Sequence, residues 1–335
     1  MSAPAVDAPG EGPASAGPRG RRAAAIARDL LPVVGLVVLV VWFSVASPFF
    51  LDATNFRNLV TDSATLLLGA FGVTVVILVA EIDLSVGAVT SLLAVAMAQL
   101  LDSGTPWPLA AAAAVAAGIA VGLLNGAVTV FGDIPSFIVT LGTFSAATGL
   151  AFVLTGSIAV PITDEGFVTS LYFATILGLP VALYVVAAAF VAVWVLMRRT
   201  ATGREMVAVG TNVRAARHSG VRVGTVRLTA FAVMGLMVGL GAVLAAARLG
   251  SGTPDAFPSL TLDVIAAAII GGASLTGGRA SLSRTLLGAL LIAVLNNGLV
   301  LVGANTDIQF AIKGGIILVA VLLDRSSSTS AGGAT

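Results

Sequence analysis

The sequence has no cysteine, a single histidine (His218), a single lysine (Lys313), and only 10% charged residues over 335 positions. Without cysteine there is no disulfide, thiolate nucleophile or cysteine-ligated metal. One histidine cannot build a histidine metal centre or a proton relay. No nucleophile–base pair and no recurring acidic pair lies in the apolar segments, as an intramembrane protease or a proton-coupled pump requires. These absences exclude an enzyme and leave no catalytic residue and no metal site to assign. The shortage of charge excludes a water-soluble fold, since soluble chains carry about 25% charged residues. No basic stretch points to nucleic acid.

What the chain has is apolar surface: 58% of its residues are hydrophobic. A bilayer core of about 30 Å takes roughly twenty helical residues to cross. That ruler predicts an all-α polytopic transmembrane bundle of about ten spans, near 30–50, 64–80, 84–101, 107–131, 137–156, 171–197, 227–247, 259–276, 283–303 and 308–323. Residues 1–28, rich in Ala, Pro and Gly and ending in Arg19, Arg21, Arg22 and Arg28, read as a disordered basic tail. The apolar run after it exceeds the h-region of a signal peptide and is read as a retained first span. Residues 29–325 form the membrane domain, and 326–335 a flexible C-terminal tail.

Orientation follows from basic residues, which concentrate on the cytoplasmic side. With both termini inside, the tail contributes four, Arg198 to Arg227 seven, and Arg279, Arg284 and Arg325 three more of the seventeen. The location expected is a bacterial cytoplasmic (inner) membrane, in contact with lipid. A faint inverted repeat is also visible, with chance matching in Gly/Ile/Leu-rich sequence as the alternative. Asn125-Gly126, Gly132-Asp133-Ile134 and Phe137 are echoed by Asn297-Gly298, Gly303, Asp307-Ile308 and Phe310. Copies running in opposite directions place a substrate route at their interface.

The sizeable polar insertion, 198–227, is where a soluble partner can engage. Within it Asn212 is a good helix N-cap, Ala215 and Ala216 favour helix, and Gly220 suits a left-handed C′ position. A two-turn helix of this length needs a docking surface to be stable; an ordinary basic loop is the plainer alternative. Polar residues at membrane depth are candidates for the substrate path, here Asn125, Asn296, Asn297, Gln309 and Lys313, with Phe137 beside the repeat. Neutral amides supply both donors and acceptors for hydroxyls, but they also tie helices together. Lys313 can alternatively snorkel, and Glu81 and Asp83 read as helix-end caps. The Gly271–Gly278 run lacks the Lys-Ser/Thr of a phosphate loop, so no nucleotide site is expected in this chain.

Four stretches carry a family resemblance. They are Ile82-Asp-Leu-Ser-Val-Gly87, Ile134-Pro-Ser-Phe-Ile-Val-Thr-Leu-Gly-Thr143, Thr202-Gly-Arg204 through Ser219-Gly220, and Leu262-Asp263 through Ile270-Gly-Gly-Ala-Ser-Leu-Thr-Gly-Gly-Arg279, the last followed by Leu295-Asn-Asn-Gly298. In this order they resemble the ribose/xylose-type permeases, the membrane subunits of ATP-binding-cassette (ABC) importers for simple sugars. Ala80-Glu81, Ser136 and His218 depart from the family pattern. The resemblance implies that 212–219 is a coupling helix seated on an ATPase, with Gly203, Arg204, Asn212, Ala215, Ala216, Ser219 and Gly220 as coupling residues. It further implies a second permease copy (identical or related), a cytoplasmic ATPase that binds the ATP and magnesium, and an extracytoplasmic sugar-binding protein. A sugar such as ribose, xylose or galactose is then the expected cargo. Nucleosides or branched-chain amino acids are the alternative, although only Lys313 offers itself for an amino acid's charges. A secondary transporter would need intramembrane carboxylates that are scarce here.

Overall fold

The computed structural model describes residues 18–305 and 307–315, with side chains from Pro32 onward. The helices run in the order α1 (Pro18–Ala46), α2 (Ala53–Leu78), α3 (Val86–Asp102), α4 (Trp107–Phe131), α5 (Ser136–Thr155), α6 (Glu165–Val168), α7 (Val181–Arg199), α8 (Ala201–Thr211), α9 (Val213–His218), α10 (Val223–Leu249), α11 (Leu260–Ile270) and α12 (Leu282–Leu301). A further helical stretch occupies 307–315. α1 starts inside the stretch read as a tail; residues 1–17 and the C-terminal tail lie outside the described residues.

The ten-span expectation is corrected. Among the described residues six helices, α2, α4, α5, α7, α10 and α12, are long and apolar enough to cross a membrane. Three other apolar helices are shorter: α3, α11 and the Pro32–Ala46 part of α1. Half of the last expected span, 308–323, lies outside the described residues, which end at 315. Composition misled because an apolar run need not be helical throughout. The non-helical stretches 79–85 and 253–259 fall largely between the expected spans, but α3 has 17 residues and α11 only 11, ending at Ile270 well inside the expected 259–276. The gap between the first two expected spans, 30–50 and 64–80, largely holds the start of α2, whose first turn is capped by the Asp52 carboxylate accepting from Thr54 N at 2.7 Å.

α2 and α10 form the buried centre, antiparallel to each other. Asp62 of α2 pairs with Arg248 of α10 at one end, and Glu81, just past α2, pairs with Arg227 of α10 at the other. α4 lies against α10 across a glycine seam. A Cβ on Gly122 would stand 2.2 Å from the Phe231 carbonyl oxygen, and one on Gly235 would stand 2.1 Å from that of Gly118. Gly118-xxx-Gly122 and Gly235-xxx-Gly239 thus let the two backbones touch, the means by which membrane helices gain packing energy when lipid is as apolar as protein. α4, α5 and α7 lie at the periphery with most of their surface exposed.

The packing repeats. α2, a non-helical stretch, α3, α4 and α5 are followed later by α10, a non-helical stretch, α11, α12 and the 307–315 helix. α3 packs on α10 as α11 packs on α2. Because α2 and α10 are antiparallel, the two runs point in opposite senses. They cross where the first turns of α3 and α11 meet: Gly87 N donates to Thr261 Oγ1 at 3.0 Å, and Thr261 Oγ1 donates to Leu84 O at 3.3 Å. A Cβ on Gly87 would lie 2.5 Å from Phe257 O, so only glycine fits this crossing.

Candidate functional site

A cavity of about 510 Å³ opens beside the non-helical stretch that leads into α11. Asp62 and Arg248 lie on its wall, joined at 3.0 Å and partly exposed. Deeper, Lys313 Nζ meets Asp263 Oδ2 at 3.0 Å, with side-chain exposures of 14% and 8%. Lys313 Nζ also reaches Ser259 Oγ at 3.4 Å, and Ser259 Oγ donates to Asp263 Oδ2 at 3.1 Å. The Phe310 ring lies 5.8 Å below the ammonium. Lys313 therefore does not snorkel. The non-helical backbone 253–259 is tolerated at this depth because it lines a cavity and not lipid.

Four of the residues singled out in the sequence come together here: Asn296, Asn297, Gln309 and Lys313 all line the cavity. Their states differ. Asn297 exchanges hydrogen bonds with Asn55 of α2, at 2.8 and 3.1 Å, and so ties α12 to α2. Gln309 donates to Ala304 O at 2.9 Å. Asn296 Oδ1 is buried and has no hydrogen-bond partner among the described residues. Sequence reasoning missed Ser259, Asp62 and Arg248, and it used Asp263 only as part of a motif. The signal was present in Asp263, whose i+4 relation to Ser259 puts both on one face of the α11 start.

Asn125 and Phe137 lie elsewhere. Phe137 is exposed on α5. Asn125 sits in a second buried cluster at the extended 79–85 stretch. There Asp83 Oδ1 accepts from Ser85 N at 2.8 Å and Ser85 Oγ at 2.6 Å. Asn125 Nδ2 donates to Ser85 Oγ at 3.2 Å, and Thr143 Oγ1 donates to Asn125 Oδ1 at 2.5 Å. Three hydroxyls of α5 complete it, spaced so that they share a face. Ser136 Oγ accepts from Ile82 N at 3.0 Å, Thr140 Oγ1 accepts from Leu84 N at 3.1 Å, and Thr143 serves Asn125. They satisfy backbone donors that a continuous helix would have bonded internally.

The polar insertion folds as two helices. The α9 helix has the cap read from sequence, with Asn212 Oδ1 accepting from Ala215 N at 3.0 Å and Gly220 at φ +83°. α8, not anticipated, is capped by Thr200 Oγ1 accepting from Gly203 N at 3.1 Å. Gly203 is buried where a Cβ would sit 2.4 Å from the carbonyl oxygens of Leu196 and Met197. Arg204, Asn212, Ala215, Ser219 and Gly220 are exposed, whereas Ala216 is buried at 4%. Ala215 and Ala216 thus do not share one docking face. At the end of α8, a Cβ on Gly210 would meet Leu78 O at 1.9 Å and Gly278 N at 2.4 Å, and Gly278 N donates to Leu78 O at 3.0 Å. The insertion is thereby wedged against the end of α2 and the glycine turn, whose Gly272, Gly277 and Gly278 all adopt positive φ. The glycines serve this close approach.

Comparison with known proteins agrees with this architecture. The family model described as "Branched-chain amino acid transport system / permease component" matches residues 55–321. The ribose import permease protein RbsC of Bacillus subtilis is 40% identical over 308 residues, 90% of this chain and 94% of that protein. The probable ABC transporter permease protein YphD of Escherichia coli is 40% identical over 227 residues, 68% of each chain. The autoinducer 2 import system permease protein LsrC of Escherichia coli is 31% identical over 228 residues, 67% of this chain and 65% of that protein. No solved structure matches the chain. With six membrane-length helices and a family match over most of its length, the chain belongs to this permease family and is a multi-pass membrane subunit of an ABC importer, a transport component and not an enzyme.

Proposed function

We propose that the chain is the permease of a simple-sugar importer and that the 510 Å³ cavity is where the sugar enters it. The observation that carries this reading is the pairing of charge within the cavity. Lys313 is neutralised by Asp263 and Arg248 by Asp62, each pair at 3.0 Å. A zwitterionic amino acid would have to break both pairs, at a cost that rises as water is excluded. A neutral polyol need break none. It finds the Asn296 side chain, the edge of the Asp263–Ser259 network and the Lys313 donors, in a wall that mixes apolar Leu66, Phe257 and Leu260 with polar Ser63, Thr65 and Gln309. The relatives named as ribose import permeases support the same cargo class.

The end of the bundle holding α8 and α9 faces the cytoplasm. Arg198, Arg199, Arg204, Arg214, Arg217, Arg222, Arg227, Arg279 and Arg284 gather at that end, against Arg57 and Arg248 at the other. Both chain termini are assigned to the same side. An ATP-binding-cassette ATPase docks on the exposed face of α8 and α9, and a second permease copy and an extracytoplasmic binding protein complete the importer. Force applied to α9 passes through Gly210 to Leu78 and Gly278, which head the two extended or glycine-rich stretches before α3 and α12.

The test is uptake by proteoliposomes holding the full transporter, using radiolabelled D-ribose, D-xylose, D-galactose and L-leucine. ATP-dependent uptake of a monosaccharide but not of leucine is expected. Uptake of leucine alone would overturn the reading in favour of the amino-acid cargo in the family description.

A further inference from the structure

The two polar clusters lie at corresponding places in the repeat, at the starts of α3 and α11, although they are not built from position-for-position equivalents, since Asn125 aligns with Asn297 and not with Asn296. Each is built on the non-helical stretch before a shortened helix, and each contains an Asp and a Ser from that stretch or its first turn together with an Asn from the next helix. Asp83, Ser85 and Asn125 of α4 make one, and Ser259, Asp263 and Asn296 of α12 the other. The second opens on a 510 Å³ cavity, while the first is closed. Asp83 is 5%, Asn125 1% and Thr140 0% exposed. What closes it is one peripheral helix, α5, which is buried mainly along its Ser136–Thr140–Ala147–Ala151 stripe and bears Phe137, Ile138, Leu141 and Phe144 on exposed positions.

The chemistry of that closure is specific. α5 presents three hydroxyls, Ser136, Thr140 and Thr143, to Ile82 N, Leu84 N and Asn125 Oδ1. These groups are neutral and able to donate or accept, as a sugar's hydroxyls are; with 1.5 Å of rise per residue Ser136 and Thr143 stand about 10 Å apart along α5, so one monosaccharide would replace neighbouring hydroxyls and not all three. Were α5 to move away, two backbone donors and the Asn125 carbonyl oxygen would be left needing partners, and leaving such groups unpaired is costly. We propose that residues 82–85 with Asn125 form a second, release-side sugar subsite, and that in this state the α5 hydroxyls occupy it in place of the sugar's own. The inference rests on the sugar reading above. The repeat supplies the logic: the outer subsite is open and the inner one self-occupied, and transport exchanges the two conditions. Glu81, two residues from Asp83, is held by Arg227 at 2.8 Å, so the subsite lies beside the end of α2 on which Gly210 of α8 bears.

The absence of cysteine makes the test direct. Ala147 is on the covered face of α5 at 4% exposure, so Ala147→Cys reports the lifting of α5 by its rate of labelling with a hydrophilic maleimide. The transporter with its ATPase and binding protein is studied in nanodiscs, and D-ribose uptake by the same variant is measured in proteoliposomes. Turnover with ATP and D-ribose is expected to raise labelling about tenfold over the nucleotide-free state. Adding Thr143→Val, which removes one α5 hydroxyl with little change of shape, is expected to raise labelling without nucleotide. Asn125→Ala is expected to cut uptake about tenfold while Ala147→Cys labelling during turnover persists, a combination that misfolding does not produce. Uptake that proceeds with labelling unchanged, or Thr143→Val without effect on labelling, or Asn125→Ala with normal uptake, overturns the subsite and leaves the sugar reading standing. Transport of L-leucine with no monosaccharide carried overturns both.

Discussion

Replacing Lys313 by Met removes the cation from a pair that is 14% and 8% exposed and leaves the Asp263 carboxylate among Ser259, Asn296 and apolar wall. Breaking a buried ion pair by deleting one partner costs about 3–5 kcal/mol, chiefly because the remaining charge is uncompensated. Asp263 borders a cavity that water can enter, so the lower end applies, about 3 kcal/mol or roughly two decades in the unfolding equilibrium. The lost contact with Phe310 adds about 1–2 kcal/mol at this degree of burial. Lys313→Met and Asp263→Leu are each expected to lower the thermal or denaturant midpoint of the purified protein, followed through its three tryptophans. The double variant is expected to recover most of that loss, since an apolar pair of similar volume can replace a buried ion pair at little cost. Uptake is expected to stay lost in all three, because the double variant restores packing and not the polar floor of the cavity. A double variant that transports D-ribose at the normal rate would refute the reasoning, since the pair would then serve structure alone. Single variants as stable as the parent would refute the burial argument.

Ala215→Arg is expected to leave folding intact and abolish ATP-driven uptake, because Ala215 is exposed on α9; Ala216→Arg is expected to reduce the amount of folded protein, because Ala216 is buried. Expression level and uptake, measured together, separate the two. Gly122→Val or Gly235→Val forces α4 and α10 apart where their backbones touch, and yields of folded protein should collapse, overpacking of this kind costing about 1–3 kcal/mol or more. Gly210→Ala should uncouple ATP hydrolysis from uptake, since its Cβ collides with backbone at Leu78 and Gly278; normal coupling would argue against transmission through that contact. Asp62→Asn should change stability by less than about 1 kcal/mol, because its pair with Arg248 is solvent-exposed at 44% and 32% and screened, and any effect should appear in uptake at low salt.

Much was legible in advance. Scarce charge and abundant apolar residues specify a membrane bundle, because only lipid can solvate such a chain. Local rules also sufficed for α9, since an Asn cap and a left-handed Gly act within a few residues of themselves. The Gly-xxx-Gly seams of α4 and α10 were equally readable but were not used. Other features required the assembled fold. The number of spans depended on where backbone donors could find partners outside a helix. Residues 82–84 stay extended because Ser136 and Thr140, more than fifty positions away, accept their N–H groups. The same distance hid which Asn ties α12 to α2: Asn297 is spent on Asn55 while Asn296 Oδ1 has no partner among the described residues, though the two are adjacent in sequence. Ala215 and Ala216 look alike in sequence, yet the first is exposed and the second buried. Lys313 found Asp263, fifty residues away, and became part of a cavity floor instead of snorkelling. Composition and short-range capping are properties of the chain itself; the span count, the Asn297 tie and the paired charges are decided by partners that only folding brings within reach.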